Sequence, residues 1–472
     1  MKTVDIAVFL ALTIAPALGV AQAVQPPVSA SYKEVQWLST QTLAPATNSD
    51  WWMLYHDTRL NDLEQELGAS NLELKVAESR FQQARSLIRM NRASEVPTLA
   101  VTPSISNVRD STNRPYFSRS MANNGSGDFA LPFDLSYEVD LWGRIHKMVA
   151  AARDQAQASA ADLANVRLIL EAELAFDYFD LRGADAESVL WRQTIATREQ
   201  MLSMQQDLFN GGAIPQDDLS TAKEDLEASR VRLQEIARQR AQDEHAIAVL
   251  IGKEPAQFAL PAEDSLPVNI PNLSTGVPSV LLERRPDIAS QQRLMAAANE
   301  QIGIARTAYY PSFMLSAQAG FESTSIWNWM NWPSRFWSIG GQITQTLFDG
   351  GHRKANASLA QEQYEATVAN YRQTVLLAFQ EVEDQLATLR DLSVERDHQS
   401  AATHEAEQRF SLASARYEGG IGSPQSVFSA QLQIYADQLA LTDLHRRRLQ
   451  ASVGLIKATG GGWNNAQLAA VH

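Results

Sequence analysis

"LFNGGAIPQDDL" at Leu208 to Leu219 and "RYEGGIGSPQSV" at Arg416 to Val427 each set a Gly-Gly pair between long polar, Ala-rich segments. Glycine adopts the left-handed conformation that ends a helix at little steric cost. Proline is tolerated in the first turn of the next helix, where its missing N–H has no partner to lose. The two stretches therefore read as hairpin tips. A long helix arrives, Gly211-Gly212 or Gly419-Gly420 stops it, and a second helix returns antiparallel from Asp217 or Ser423 onward, with Pro215 and Pro424 early in it. Outward from Leu208 and Arg416 the correspondence continues at one fixed offset of 208 positions: Gly143 with Gly351, Ala158 with Ala366, Glu173 with Glu381, Ala222 with Ala430, Gly252 with Gly460. The chain reads as two tandem structural repeats, at a period far too long for a solenoid. Upstream, Pro97 matches Pro311 at a larger offset, so the first repeat carries a few extra residues there, as a surface loop does.

Within each repeat the longest element runs to the Gly-Gly pair, over 141–209 and 351–417. Ile145, Val149, Ala152, Ala156, Ser159, Leu163, Val166 and Leu170 step alternately by four and three, as do Tyr364, Val368, Tyr371, Val375 and Ala378. A 3.5-residue period belongs to helices that supercoil about one another. No proline occurs between Pro132 and Pro215, so one helix can run unbroken for roughly 100 Å at 1.5 Å per residue. The returning helices, 217–251 and 424–459, are about half as long. A helix from Leu60 to Ala93, and one from Asp287 to Tyr309, are expected to cover the face they leave bare.

A second periodicity lies between the helices. Leu99, Val101 and Ile105 alternate with Thr98, Thr102 and Ser104; Leu131, Phe133, Leu135 and Tyr137 alternate with polar residues, as do Phe313, Leu315, Ala317 and Ala319. "FWSIGGQITQTL" from Phe336 to Leu347 adds a fourth segment. Period two with one apolar face means strands, at 98–107, 127–138, 312–322 and 336–347. Pro103 and Pro132 sit badly inside strands and are read as bulges or bends. The connections Asn107 to Asp128 and Glu322 to Ser334 have the composition of long exposed loops. Trp327, Trp329, Trp332 and Trp337 fit either an aromatic girdle at a lipid–water boundary or aromatic packing in a soluble loop.

The net charge of −14 over 472 residues opposes a grip on nucleic acid, which needs clustered cations. The absence of cysteine excludes disulfides, thiolate metal sites and lipid attachment through an N-terminal Cys. Lys2, the apolar run Ile6 to Leu18 and Ala21-Gln22-Ala23 fit an export signal over 1–23. No later apolar run reaches the roughly 20 residues of a membrane-spanning helix. The remaining division is an extended segment over 24–59, repeat one over 60–260, a linker over 261–280, repeat two over 281–462 and a tail over 463–472.

Four strands cannot close a barrel with a lumen, and in lipid an unpaired strand edge is prohibitively costly. Three chains would supply about twelve strands, wide enough for a water-filled pore. The fold class expected is therefore mainly α with a transmembrane β part: a trimeric twelve-stranded β-barrel continuous with a long α-helical barrel.

"SYEVDLWGRI" from Ser136, "LLERRPDI" from Leu281 followed by "AAANEQIGIARTAYYPS" from Ala296, and "LFDGGHRKA" from Leu347 resemble the outer membrane factors of bacterial multidrug efflux systems. They are most similar to the branch that works with resistance-nodulation-division (RND) pumps, the NodT-family outer membrane efflux proteins. The resemblance covers nearly all of the chain after the signal. It implies a homotrimeric duct in outer membrane lipid with a large periplasmic portion. Such a duct passively carries drugs or other small toxic compounds from an inner-membrane RND-type transporter, through a periplasmic adaptor (membrane fusion) protein, to the outside. It implies no catalytic residue, cofactor, metal or nucleic acid. Members of the branch are often lipoproteins, and the missing Cys rules that anchor out here.

By the same resemblance the tips narrow the periplasmic mouth and meet the adaptor, which assigns Phe209, Gly211, Gly212, Asp217, Asp218, Tyr417, Gly419, Gly420 and Ser426 to that site. Asp217 and Asp218 stand where related channels carry a ring of carboxylates, which favours cations. Helix N-capping is the other reading of the same pair. The second repeat has Ser426, Ser429 and Gly422 where acids often occur, so a full acidic ring is not carried over. Phe209 and Tyr417 either plug the mouth or pack the hairpin. Pro97, Trp142, Gly143, Pro311, Gly350 and Gly351 mark the strand–helix junctions, and Arg284, Arg285, Pro286 and Asp287 open a helix. Ducts for type I protein secretion or metal efflux would share this architecture. A soluble periplasmic coiled-coil scaffold would need an ordinary soluble sheet. No His-Glu-x-x-His, phosphate loop or nucleophile elbow points to an enzyme.

Overall fold

In chain order the α-helices are α1 (Thr58–Ser70), α2 (Leu72–Arg92), α3 (Arg144–Asn210), α4 (Gln216–Leu250), α5 (Pro278–Arg284), α6 (Pro286–Thr307), α7 (His352–Glu418) and α8 (Pro424–Ala458). The strands are β1 (Thr98–Val101), β2 (Ser104–Val108), β3 (Ser126–Glu138), β4 (Ser312–Ser323) and β5 (Arg335–Thr344). The structure is a computed structural model that describes residues 31–34, 50–109, 111, 113, 125–264, 266, 270, 271 and 278–470. The export signal over 1–23 lies outside the described residues, as do most of 24–49, the middle of the β2–β3 connection and part of 261–277.

The two longest helices, α3 and α7, have 67 residues each. Their apolar stripes are buried as the 3.5-residue spacing requires: Ile145, Val149, Ala152, Ala156 and Leu170 in α3, and Val368, Tyr371, Val375 and Ala378 in α7. Small residues let the neighbours approach closely. Ala84 and Ile88 of α2 meet Ala152 and Ala156 at the strand end of α3, where α6 is also tied to it by Lys147–Glu300 at 3.0 Å. The returning helices α4 and α8 cover the other half. Midway, the largest core cluster joins Trp51 and Tyr55, Leu60, Leu63 and Leu67 of α1, Leu174, Tyr178 and Leu181 of α3, the end of α4 and Leu449, Val453 and Ile456 of α8.

Several expected boundaries move, each for a local reason. The segment Leu60 to Ala93 is two helices, because Asn71 takes an extended backbone (φ −63°, ψ 130°) and caps α2 by accepting from the Leu74 N–H at 2.8 Å. Its amide also donates to the Leu250 carbonyl at 2.7 Å, tying the break to the end of α4. The 24–59 segment is not extended throughout: Trp51–Tyr55 form a 3₁₀ turn and α1 starts at Thr58. The 261–280 linker yields to α5 at Pro278, and α6 starts at Pro286 after an extended Arg285, as the residue before proline requires. The tail contains a 3₁₀ helix, Asn465–Ala470. Pro215 is the residue before α4, not within it.

All the strands form one antiparallel sheet in the order β1/β2, β3, β4, β5. The expected strand 98–107 is split into β1 and β2, and the expected strand 336–347 ends at Thr344. No bulge accompanies the split. Val101 faces Phe133 and Ser104 faces Ala130, so the register crosses Thr102 and Pro103 without gaining or losing a residue. Thr102 N–H donates to the Pro132 carbonyl at 3.3 Å. Because N–H and C=O directions alternate along a strand, Pro103 points its missing N–H away from β3, where it breaks no bond of this sheet. Pro132 lies in the interior strand, opposite Gly320. A Cβ on Gly320 would sit 2.2 Å from the Leu131 carbonyl oxygen and 2.9 Å from Pro132 Cα, so glycine is what admits a proline there.

Candidate functional site

The sheet has two chemically different faces, fixed by its register. Leu99, Leu135, Ala317 and Ile339 lie side by side across the strands, followed by Val101, Phe133, Ala319 and Trp337. This face is apolar, and Leu99, Val101, Trp337, Ile339 and Ile343 are exposed on it. The opposite face carries Asp128, Asp134, Glu138, Ser316, Gln318, Glu322, Ser338 and Gln342. Here Asp134 accepts from Thr102 Oγ1 at 2.9 Å and from Gln318 Nε2 at 2.7 Å. The outer edges of β1/β2 and β5 pair with nothing among the described residues. Trp337 belongs to the apolar face, Trp327 and Trp332 are exposed in the β4–β5 connection, and Trp329 packs on Phe129 with ring centroids 6.2 Å apart. No helix among the described residues is long and apolar enough to cross a membrane.

At the strand–helix junctions, Gly143, Gly350 and Gly351 all have positive φ (75°, 63° and 94°), which turns the chain from strand into α3 and α7. Trp142 donates from Nε1 to the Pro311 carbonyl at 2.7 Å and stacks on Tyr310 at 4.7 Å. This clamp joins the base of β3 to the base of β4. Asp349 accepts from the Gly351 and Arg353 backbone N–H groups at 3.0 and 3.1 Å, supplying the N-terminal partner that glycine lacks. Pro97 sits directly before β1.

At the other end the two tips have the same geometry. Gly212 N–H donates to the Phe209 carbonyl at 2.9 Å and Ala213 N–H to the Leu208 carbonyl at 2.8 Å; Gly420 and Ile421 do the same to Tyr417 (2.9 Å) and Arg416 (3.0 Å). This is the Schellman closure of a helix. Only the second glycine of each pair is left-handed, at φ 72° and 75°. Gly211 and Gly419 are right-handed, at φ −79° and −77°. Asp217 and Asp218 lie exposed in the first turn of α4 and cap nothing, because the residue at the cap is Pro215 and makes no side-chain bond. Their charge still faces the positive end of the helix dipole. Ser426 is committed locally, its hydroxyl donating to the Ser423 carbonyl at 2.6 Å. Gly422 leaves no room for an acid: a Cβ would lie 2.9 Å from Tyr417 N. Tyr417 is about half exposed and Phe209 partly buried.

Between the tips runs a cleft of about 550 Å³. Arg198, Gln205 and Asp218 line it from the first hairpin, and Gln425, Ser429 and Gln433 from the second. Gln205 is buried with its Oε1 unpartnered, and Arg198 Nε likewise has no partner. The sequence pointed to the tips but not to this cleft, because its walls come from helix faces far apart in the chain. Arg285, singled out as architectural, spans Asp287 (2.7 Å), Glu381 (2.6 Å) and the Ala458 carbonyl (3.0 Å), pinning three helices.

A two-faced sheet on a bundle of very long helices is matched by known proteins. The sequence profile of the family described as "Outer membrane efflux protein" matches residues 63–253 and 277–461. The outer membrane protein OprJ of Pseudomonas aeruginosa is 31% identical over 425 residues, covering 90% of this chain and 88% of OprJ. A solved membrane protein from Pseudomonas aeruginosa superposes with a TM-score of 0.84 at 29% identity, covering 95% of this chain and 98% of its own. The CmeC outer membrane channel of Campylobacter jejuni does so with a TM-score of 0.82 at 25% identity, covering 97% and 95%. The chain belongs to the outer membrane efflux protein family.

Proposed function

We propose that the chain is the exit duct of a tripartite efflux pump: a homotrimer whose three sheets close a twelve-stranded barrel in the outer membrane, above a helical tube in the periplasm. One observation carries the reading. The sheet has an apolar face, an acidic polar face and two open edges, a combination that is tolerable in lipid only when neighbouring copies pair edge to edge around a wet lumen. β5 of one copy would pair with β1/β2 of the next. The tandem repeat is supported by helix boundaries that recur at the spacing read from the tips, Arg144 with His352, Asn210 with Glu418, Gln216 with Pro424 and Leu250 with Ala458. Gly252 and Gly460 repeat the Schellman closure of the tips. The division into repeat one (60–260) and repeat two (281–462) follows that correspondence.

The tips then form the periplasmic mouth. Phe209, Gly211, Gly212, Asp217, Asp218, Tyr417, Gly419, Gly420 and Ser426 surround it, and the cleft between the hairpins is where a periplasmic adaptor docks. An inner-membrane RND-type transporter delivers drugs or other small toxic compounds, which pass without chemistry or cofactor. The acidic lumen face of the sheet favours cationic cargo. The test is a gel of detergent-extracted membranes with and without boiling. A heat-labile trimer that resists carbonate washing is expected, and a monomer released by carbonate would refute the duct. Deleting the gene and profiling drug, solvent and metal susceptibility then defines the cargo.

A further inference from the structure

Only five residues in the described strands are charged: Asp128, Asp134, Glu138, Glu322 and Arg335. The four acids share the polar face. Arg335 does not. The register sets it beside Phe321 and Leu131, in the row next to Val101, Phe133, Ala319 and Trp337, so it is the one charge on the apolar face. The rows of that face run from Phe313 and Ile343 to Phe321 and Arg335. This is about 27 Å along a strand at about 3.4 Å per residue, or about 20 Å along the axis of a barrel whose strands tilt by about 40°. The apolar band of an outer-membrane barrel is about 25 Å tall, so Arg335 stands at its rim. α2, α3, α6 and α7 all join the sheet at the opposite end. With the helices in the periplasm, the rim at Arg335 is the outer one.

A cation on a lipid-facing surface is costly at mid-membrane and tolerated at the headgroup level. The surroundings of Arg335 fit that level. Its guanidinium stacks on Trp332, 4.0 Å from the ring centroid. Trp332 is 73% exposed, and Trp327 and Met330 stand exposed in the same connection. None of the side-chain N–H groups of Arg335 has an acceptor among the described residues. It borders the hollow of about 850 Å³ lined by Asp128 and Glu322, yet forms no ion pair with either. A guanidinium covered on one face by an aromatic ring keeps its N–H fork at the edge, the geometry that takes two oxygens of one phosphate. The outer leaflet of an outer membrane presents phosphate on a glycolipid, lipid A. Its acyl chains have an apolar surface to follow directly below, where Trp337 and Ile339 are exposed.

We propose that Arg335, backed by Trp332, holds a phosphate of lipid A at the outer rim of the barrel, one site per chain. The proposal rests on the duct reading. The test is native mass spectrometry of the delipidated trimer in detergent, titrated with bisphosphorylated lipid A, with its dephosphorylated form and with phosphatidylglycerol. Saturation at one lipid A per chain is expected, with weaker binding of both other lipids. Arg335→Gln is expected to lower the affinity for lipid A about tenfold. Arg335→Lys, which keeps the charge but not the fork, and Trp332→Leu, which removes the stacked ring, are each expected to lower it about threefold. An unchanged affinity in Arg335→Gln overturns the site, as does equal binding of dephosphorylated lipid A or phosphatidylglycerol to the parent. Displacement of lipid A by millimolar inorganic phosphate would make soluble phosphate the ligand and overturns it too. Loss of the trimer in both Arg335→Gln and Trp332→Leu, while the parent keeps it, assigns the stacked pair to the fold and has the same consequence. A parent chain that is itself monomeric overturns the duct reading instead.

Discussion

Replacing Glu171 by Gln is expected to stabilise the protein above pH 7 and to change little near pH 4.5. Glu171 projects from α3 into the central core, only 7% exposed, and accepts one bond from Trp51 Nε1 at 3.3 Å. Burial, only partly offset by Trp51 and Arg167, pushes its carboxyl from 4.5 up to about 7. Beside it, Glu64 of α1 is buried with both oxygens unpartnered, and burial and then Glu171 hold it well above the usual carboxylate range. An acid raised in the folded state keeps a proton that the unfolded chain has already lost. Its contribution is therefore fully present below about 4.5 and falls away as pH climbs through 7. A displacement from 4.5 to about 7 corresponds to about 3 kcal/mol lost by pH 8. Gln keeps the shape and the acceptor for Trp51 while removing the charge. Thermal unfolding of the detergent-solubilised protein from pH 4.5 to 8.5 checks this. The parent should lose stability steeply across that window, and the variant should keep only the gentler slope due to Glu64. Parallel curves for the two proteins would refute the account of this core.

Gly320→Val should prevent β3 and β4 from pairing beside Pro132, because its Cβ meets the Leu131 carbonyl at 2.2 Å. The heat-labile trimer should vanish from gels while helical circular dichroism persists, and a normal trimer would contradict the register. At the first tip, Gly212→Ala should cost about 1 kcal/mol through its positive φ, whereas Gly211→Ala, with an ordinary φ and 3.5 Å to the nearest atom, should be near neutral. Comparing their melting temperatures checks the assignment. Asp217→Asn with Asp218→Asn should lower the preference for cations over anions, read as a smaller reversal potential across a salt gradient in a planar bilayer. An unchanged potential would remove these carboxylates from the mouth.

The long helices were legible because a 3.5-residue stripe over 67 residues has no competing interpretation, and the tips because Gly-Gly stands between two such stripes. The break at Asn71 was hidden by apolar spacing that continues on both sides of it. Its reason is a bond to the Leu250 carbonyl, far away in sequence. Pro103 and Pro132 were visible as anomalies, but their accommodation depends on Gly320 across the sheet and on the direction of one missing N–H. At the tips, a Gly-Gly pair does not say which glycine is left-handed. The bond from Arg446 of α8 to Asp180 of α3 spans 266 positions, and no local spacing announces it.

In the proposed duct, Pro103 also bears on how newly made chains meet one another. Its absent donor leaves a missing rung on the free margin of β1/β2, whereas β5, without proline from Arg335 to Thr344, offers a complete row. A margin with a gap is a poor template for its own copy, so stray pairing of one β1/β2 edge with another is discouraged. Joining that margin to β5 of a neighbour leaves one donor missing where joining it to its own copy leaves two, so Pro103 biases its own edge towards the unlike partner that a closed ring supplies.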